Sequence, residues 1–398
     1  MSAFIRGERG VLFLLFFLCL ALGRSAALEL EGLPDLQILR LEGEALTGQA
    51  ARELLEQEQT AEYPASAAVW GQVSHQTVEN PHLGRSAPVT AVLLQGSSQL
   101  LFPASPPLLP EDREGCLIDE ATAQALFGSP DPTGCPLQWA GRTLTLRGVI
   151  PSGRPLIALQ AKEEDQPLDR LTLQAPEGIP LPQVLGEFQS RHGLSGLWTS
   201  TKALSFLAQA GSLLPCFLLL LSLVLSLIKT GFTAWEYPAI LLLCLGAAGL
   251  LWFLTLWAAG FSLQIPTELL PGKWSDFDFW GELLAQKKSE FLDQLTAGKT
   301  ELELEILLPL LRAWGWSLGA VLLSPLSFAK TAPKNGRVLW ALCGGFAALC
   351  FLAAVKIDPL LARDRVLWIC PPLFLGGAYG AKRLKAWVTA QTRPAHSR

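Results

Sequence analysis

Residues 116–128 have the sequence CLIDEATAQALFG, and the turn sequence DPTG follows at residues 131–134. The run CLI predicts a short strand. Asp119 is well placed to cap a helix, because its carboxylate can accept the free backbone N–H groups of the first turn. Gly128 is a favourable left-handed stop for that helix. This stretch therefore predicts a strand, a capped helix and a tight turn in immediate succession.

The sequence on either side continues the same alternation of strands and short helices. Residues 136–150 predict a hairpin that turns at Ala140-Gly141, and the proline-rich piece 103–110 predicts a loop. Further strands are predicted over 36–41, 66–73, 88–94, 155–160 and 170–174, and helices over 46–59 and 181–192. The predicted fold class of this region is α+β.

Long apolar runs lie outside this region and predict membrane spans. A bilayer core needs about 20 apolar residues per helix. The run at 11–23 is short, follows Arg6 and Arg9, and precedes Ser25-Ala26-Ala27, which resembles a cleavage site. It is therefore either a signal anchor or a removable signal peptide. Longer runs are found at 205–228, 238–260, 306–328 and 338–355, and a shorter one with two prolines at 366–381.

The charge distribution predicts how the chain is threaded through the membrane. With the N-terminus in the cytoplasm, the cytoplasmic pieces hold eleven Lys and Arg residues against Glu8 and Glu236, as the positive-inside rule requires. The outer loop 356–365 is an exception, with three cations and two acids. The predicted organisation is a signal anchor or signal peptide over 1–28, an extracytoplasmic domain over 29–202, a bundle of about five transmembrane helices over 203–381 with an outer loop at 261–305, and a basic cytoplasmic tail over 382–398.

The predicted extracytoplasmic domain is acidic, with 22 Asp and Glu residues against 11 Lys and Arg. Nucleic-acid binding depends on basic surface that replaces counterions, so this class of function is excluded. Cys116 and Cys135 are the two cysteines of the domain. A pair of cysteines outside the cell favours one disulfide, and two free thiols are the alternative.

The block at 116–134, with its Leu-Phe-Gly and Asp-Pro-Thr-Gly elements and a hairpin that ends Leu146-Arg147-Gly148-Val149, resembles the periplasmic core domain of MacB-type ABC transporter permeases, a group related to FtsX. The resemblance extends over about residues 36–200. It implies a MacB-like extracytoplasmic fold, a separate ABC ATPase as partner, and a second permease copy in a homo- or heterodimer. The block residues have structural roles: Ala123, Leu126, Phe127, Gly128, Pro132, Gly134 and Gly148.

The membrane part departs from that family. The family has three spans after the domain, where this chain has about five, and a coupling segment after the second span that docks on the ATPase. Here the corresponding loop is only KTGFTAWEYP at 229–238. Contact with an ATPase is thus the weakest part of the resemblance.

No catalytic, cofactor-binding or metal-binding residues are predicted. The sequence AGKT at 297–300 is similar to the end of a phosphate loop, but Asp293 occupies the position of the required first glycine. The four histidines lack the spacing of a metal site. Arg312 is the one ionisable residue inside a predicted span, which makes it a functional candidate, with snorkelling toward Glu305 as the alternative.

Two functions are compatible with these patterns, and neither is enzymatic. The first is a divergent ABC transporter permease, or a permease-associated subunit, in the plasma membrane, with its C-terminus in the cytoplasm and a separate ATPase as energy source. The second is a membrane-anchored interaction or sensing protein without transport activity. Both require the lipid bilayer as a partner.

Overall fold

The strands and helices of the chain belong to two units. The computed structural model describes residues 2–41, 45–162, 167–176, 178–179, 181–233, 237–258, 281, 285, 300–328 and 335–391. The first unit, called the helical unit below, comprises Met1–Leu33, Leu204–Leu283 and Glu301–Arg398. The second, called the sheet domain, comprises Pro34–Ala203 and Leu284–Thr300. The predicted outer-loop residues 259–299 lie outside the described residues, apart from 281 and 285.

The described part of the sheet domain contains a mixed sheet and three short helices. The strands are β1 (Gln37–Leu41), β2 (Ser66–Asn80), β3 (Arg85–Gly96), β4 (Gly115–Asp119), β5 (Pro136–Trp139), β6 (Arg142–Ile150), β7 (Leu156–Gln160), β8 (Arg170–Gln174) and β9 (Gly196–Ser200). The helices are α2 (Gly48–Gln59), α3 (Glu120–Phe127) and α4 (Leu181–His192), numbered after α1 of the helical unit. The strands pair in the order β3-β7-β4-β6-β5-β2-β8-β1-β9.

The strands β2 to β7 form a closed circuit of backbone pairing. The long strand β2 pairs with β3 along most of its length, and its far end pairs with β5. From β5 the pairing passes through β6, β4 and β7 back to β3. Closure gives each of these six strands a neighbour on both sides, so that none is a terminal strand. The three-strand extension β8-β1-β9 starts from the other end of β2.

Local sequence signals account for several of these elements. The hairpin β5–β6 turns at Ala140 and Gly141, whose φ angles of 47° and 74° are both positive, as in the tight turns that match strand twist. The predicted helices over 46–59 and 181–192 correspond to α2 and α4. Strand β9 was not predicted, because the sequence GLWTS is short and begins with glycine.

The core of the sheet domain is apolar, and a few buried polar side chains form hydrogen bonds at its margin. Trp70 of β2 is buried, and its indole N–H donates to the Thr172 hydroxyl at 2.9 Å. Glu58 of α2 is also buried and binds Arg191 and His192 of α4. This carboxylate therefore ties α2 to α4.

The helical unit is built from long apolar helices. They are α1 (Ser2–Glu31), α5 (Thr201–Thr233), α6 (Pro238–Ala258), α7 (Glu301–Phe328), α8 (Gly336–Lys356) and α9 (Arg365–Gln391). Among the described residues, five segments are long and apolar enough to cross a membrane: Val11–Glu31, Thr201–Thr233, Pro238–Ala258, Glu301–Pro325 and Gly336–Lys356.

Two segments differ from the predicted spans. The first apolar run was predicted to end at residue 23, but α1 continues to Glu31. The predicted span 366–381 lies within α9, which is not among the five candidate spans. Its second half carries Lys382, Arg383 and Lys385, which lower its hydropathy. Helix α9 passes through Pro371 and Pro372 without a break.

Phenylalanines of α1 form the centre of helix packing in this unit. Phe16 and Phe17 are buried beside Phe346 of α8, and the rings of Phe17 and Phe346 meet edge to face with centroids 5.1 Å apart. Farther along α1, Ala26 and Ala27 pack with Ala313 of α7 and with Ala208 of α5. The small side chains allow the helix backbones to approach closely.

Candidate functional site

Asp119 holds together the sequence block from which the domain fold was predicted. Its buried carboxylate caps α3, with one oxygen accepting from the N–H groups of Ala121 at 2.9 Å and Thr122 at 3.1 Å. The other oxygen accepts from the N–H of Leu156 at 2.9 Å, where β7 begins. The predicted cap is confirmed, and it also fixes β7 beside β4.

The predicted helix residues of the block anchor α3 on the sheet. Ala123 and Leu126 are fully buried, and Phe127 is half-buried against the same core. Gly128 ends the helix with φ 70°, in the left-handed region. The buried side chain of Asn80 completes this end by donating to the Leu126 carbonyl at 3.1 Å.

The predicted turn residues of the block have similar packing roles. Pro132 is buried, and Gly134 has φ 87° and donates its N–H to the Leu146 carbonyl at 2.8 Å. Gly148 lies under Pro106, whose ring carbon would be only 2.6 Å from an added Cβ. These contacts are those of a folding motif.

The predicted disulfide between Cys116 and Cys135 is absent, and both residues are free thiols. Cys116 on β4 pairs with Leu146 of β6, and the backbone N–H of Leu146 donates to the Cys135 carbonyl on its other side. Strand β6 therefore lies between the two cysteines. Two strand spacings amount to about 9–10 Å, beyond the Cα separation that a disulfide spans.

Cys116 is also unsuited to thiol chemistry. Burial raises the pKa of its thiol to about 12, so the reactive thiolate does not form near neutral pH.

Arg312, the predicted intramembrane candidate, lies on α7 and binds Glu29 of α1. The distance from Arg312 Nη2 to Glu29 Oε2 is 3.1 Å, and about half of each side chain is exposed in the structure. A carboxylate partner of Arg312 in the structure is thus Glu29 of the neighbouring helix. This pair joins α1 to α7 at the periphery of the helical unit.

Arg24 of α1, which the sequence analysis did not single out, is buried in the helical unit. Arg24 is 5% exposed and Asp364 is 4% exposed. The guanidinium forms two parallel bonds to that carboxylate, with Nε–Oδ2 at 2.8 Å and Nη2–Oδ1 at 2.9 Å. Its remaining Nη1 donates to the Ser212 hydroxyl at 2.8 Å. We call this cluster the Arg24 junction.

The Arg24 junction connects three helices at one point. Arg24 belongs to α1, Ser212 to α5, and Asp364 immediately precedes α9. Two parallel N–H···O bonds fix the relative orientation of the planar groups as well as their distance. A buried ion pair needs such complete hydrogen bonding to offset its loss of hydration.

A second polar contact lies next to the junction. The Ser25 hydroxyl donates to Asp358 at 2.8 Å, and Asp358 also accepts from the N–H of Leu360 at 2.9 Å. Both acids of the segment between α8 and α9 are therefore engaged inside the helical unit. Among the described residues, there is no cluster of three or more His, Cys, Asp or Glu side chains that could hold a metal ion.

An indirect signal for this junction is present in the charge pattern of the segment between α8 and α9. The segment 356–365 departs from the positive-inside pattern, and the structure shows that both of its acids are engaged inside the helical unit. Arg24 itself directly follows the apolar run 11–23 and therefore lies outside the predicted segment. The 340 residues between Arg24 and Asp364 prevented any pairing from being inferred.

Two examples represent the solved structures that are similar to this chain. The first is the periplasmic region of MacB from Actinobacillus actinomycetemcomitans, with a TM-score of 0.35 and 12% identity over 43% of this chain and 91% of that one. The second is the extracellular domain of the noncanonic ABC-type transporter YknZ from Gram-positive bacteria, with a TM-score of 0.32 and 11% identity over 42% of this chain and 98% of that one.

The sheet domain is thus a mixed α/β domain that resembles the MacB periplasmic region, as the block at 116–134 predicted, and it is accompanied by several long apolar helices. No protein-family model and no curated protein matches the chain.

Proposed function

We propose that this chain is a divergent permease-type membrane subunit, in which an extracytoplasmic sheet domain moves together with the two helices that carry it, and that a separate ATPase supplies the energy. The proposal rests on one observation, which is the way the chain enters and leaves the sheet domain.

The chain enters and leaves the sheet domain on adjacent strands. β1 and β9 are antiparallel neighbours, with Gln37 opposite Ser200. At their end, the Thr201 hydroxyl accepts from the N–H of Leu36 at 2.9 Å and donates to the Pro34 carbonyl at 2.8 Å. The connections from α1 and to α5 are thereby tied to each other by side-chain and backbone hydrogen bonds.

Such a tie supports mechanical coupling. A change in the separation of α1 and α5 would act directly on the β1–β9 pair, and a ligand or partner on the sheet domain would act in the opposite direction. Coupling of this kind is reciprocal by thermodynamic necessity. A permease that is driven from the cytoplasm and works on an extracytoplasmic substrate requires this type of connection.

The orientation follows from the charge pattern and is part of the proposal. Residues 29–202 lie outside the plasma membrane, residues 203–381 form the membrane bundle, and the basic tail 382–398 is cytoplasmic. The chain acts as a dimer or with a second permease. The cytoplasmic loops at 229–237 and 329–337, of which the second is basic, are the proposed contact with the ATPase.

The proposal is tested by purifying the tagged full-length chain from its native membrane in mild detergent and identifying what accompanies it. We expect a stoichiometric ABC ATPase. A variant with Lys334→Glu and Arg337→Glu should lose the ATPase, because the charge of the proposed docking loop is reversed. The matched control is Arg52→Glu with Arg85→Glu, which makes the same charge change at exposed sites of the sheet domain.

A membrane-anchored interaction or sensing protein is the second candidate. The short loop at 229–237, which lacks the coupling segment of MacB-type permeases, favours it. Recovery of a different partner that depends on the sheet domain, with no ATPase in any preparation, would replace the first proposal by this one.

A further inference from the structure

In the segment that joins α8 to α9, the acidic side chains face the interior of the helical unit and the basic side chains face outward. It runs from Lys356, the last residue of α8, through a short 3-10 helix at Pro359–Arg363, to Arg365, the first residue of α9. Five of its ten residues are charged, and the formal excess is only one positive charge. Because the structure places the acids inside and the cations outside, the exposed surface of the segment is more positive than its formal charge.

The acids of the segment face inward. Asp364 is buried and paired with Arg24, and Asp358 is half-buried and accepts from Ser25 and from the N–H of Leu360. Neither carboxylate is available to balance the cations on the surface.

The cations of the segment face outward. Lys356, Arg363 and Arg365 are all exposed. Neither Lys356 nor Arg363 forms an ion pair with a described residue. The Arg365 guanidinium lies 5.8 Å from the ring centroid of Trp257.

Apolar side chains accompany these cations. Trp257 is 54% exposed and lies at the end of the apolar helix α6, and Leu360 is 48% exposed within the 3-10 helix. Tryptophan at the end of a span is typical of the membrane–water boundary. A surface that combines cations, an exposed leucine and a boundary tryptophan has the composition of lipid-contacting interfacial segments.

We propose that Lys356, Arg363 and Arg365, with Trp257 and Leu360 beside them, form a binding surface for the phosphate headgroup of an anionic phospholipid. The lipid phosphate binds the two guanidinium groups, and the acyl chains lie along the apolar end of α6. On the orientation proposed above, the lipid belongs to the outer leaflet. This surface does not depend on the presence of an ATPase.

The proposal is tested by photo-crosslinking on the full-length chain in nanodiscs. One set of discs contains a photoactivatable phosphatidylglycerol and the other an equivalent phosphatidylcholine, and labelled peptides are mapped by mass spectrometry. We expect phosphatidylglycerol to label peptides that cover 250–258 and 356–368 more strongly than phosphatidylcholine does. Peptides that cover Lys382, Arg383 and Lys385, at the other end of α9, serve as an internal reference in the same sample.

Charge-neutralising variants assign the effect to the arginines. Each surface cation contributes roughly fivefold to the affinity for an anionic membrane. The double variant Arg363→Gln with Arg365→Gln should therefore lower the labelling by between roughly fivefold and roughly 25-fold. The reference peptides should be unaffected. Arg363→Lys with Arg365→Lys should keep most of the labelling, and Arg52→Gln with Arg85→Gln in the sheet domain should change nothing.

Three outcomes would overturn the proposal. They are equal labelling by the two lipids, unchanged labelling in the double glutamine variant, and loss of the labelling at low concentrations of inorganic phosphate, which would assign the surface to a free anion. If the double variant does not fold, the labelling of the single variant Arg363→Gln tests the proposal. This variant should fold, because the Arg363 side chain makes no hydrogen bond or ion pair with a described residue.

Discussion

Arg24 lies at the centre of the helical unit and Arg312 at its edge. Each forms an ion pair with a carboxylate, and one partner of each pair belongs to α1. The Arg24 pair is almost completely buried and makes two parallel bonds with a third bond to Ser212. The Arg312 pair has one close contact and leaves about half of each side chain exposed. The hydropathy pattern singled out Arg312, because this residue interrupts an apolar run. It did not single out Arg24, because Arg24 follows the end of an apolar run.

We expect burial and completeness of hydrogen bonding to decide how strongly each ion pair stabilises the helical unit. Removing one partner of a buried pair leaves an uncompensated charge in a medium of low polarity, which costs about 3–5 kcal/mol. An exposed pair contributes about 1 kcal/mol or less. The two arginines are therefore expected to differ severalfold in their effect on stability, and the following experiments test that difference from the largest effect to the smallest.

The most severe perturbation would be removal of α1 by processing after Ser25-Ala26-Ala27. It would remove Arg24 and leave Asp364 buried without its cation, and it would also expose the alanine contacts on α5 and α7. We expect the purified protein to retain α1, with an intact mass that includes the residues before Leu28. A mass that begins at Leu28 would show that the Arg24 junction is absent from the mature protein.

Arg24→Gln is the most informative single substitution. We expect it to lower the free energy of unfolding in detergent by about 3–5 kcal/mol, because Asp364 stays buried and loses both parallel bonds. The double variant Arg24→Gln with Asp364→Asn should be substantially more stable than the single variant, since no charge is then left unpaired. Equal stability of the single and double variants would contradict a paired, buried charge.

Ser212→Ala removes the third bond of the junction while it preserves the ion pair. We expect a loss of about 1.5 kcal/mol, as for a hydrogen bond to a charged group. Ser222→Ala on the same helix is a suitable control, because the hydroxyl of Ser222 bonds to the Leu219 carbonyl one turn earlier. An effect of Ser212→Ala no larger than that of the control would show that Arg24 does not need α5.

Arg312→Gln should have a small effect on stability, about 1 kcal/mol or less, and Glu29→Gln should match it. Thermal unfolding of the full-length chain in detergent measures both. If Arg312→Gln destabilises the protein as much as Arg24→Gln, exposure in the structure is a poor guide to the surroundings of Arg312 in the bilayer.

A third arginine–carboxylate pair extends the comparison to the surface of the sheet domain. Arg147 binds Asp112 at 2.7 Å, and its hydrogen bond and charge hold the pKa of that carboxyl below its usual value. A lowered carboxyl pKa means that the pair stabilises the fold above the ordinary pKa of Asp and loses this contribution as the pH falls through the lowered value.

We therefore expect Arg147→Gln to increase hydrogen exchange in peptides covering 112–119 and 142–150 at neutral pH. The difference from the wild type should disappear at acid pH, and Arg147→Lys should lie between the two. A difference that persists after Asp112 is protonated would indicate a packing role for Arg147.

Local signals predicted much of the sheet domain. The Asp119 cap, the left-handed Gly128 and the Ala140-Gly141 turn depend only on neighbouring residues, and all three are present in the structure. Strand β9 was missed because Trp198 and its neighbours show little alternation.

Long-range relations account for what the sequence did not reveal. Cys116 and Cys135 are close in sequence, but β6 passes between them, and no local pattern shows that. Arg24 and Asp364 meet only because α1 and the start of α9 pack together. A single sequence carries no record of which distant residues become neighbours, so the candidate disulfide was wrong and the Arg24 junction was missed.

The paired strands β1 and β9 have a consequence for the history of this chain. Since the two ends of the sheet domain are bonded side by side near Pro34 and Thr201, the domain has the closely spaced ends that make a segment suitable for insertion into another fold. Insertions of this kind are gained, exchanged or shortened with little effect on the host fold. The sheet domain and the helices are thus free to diverge at different rates.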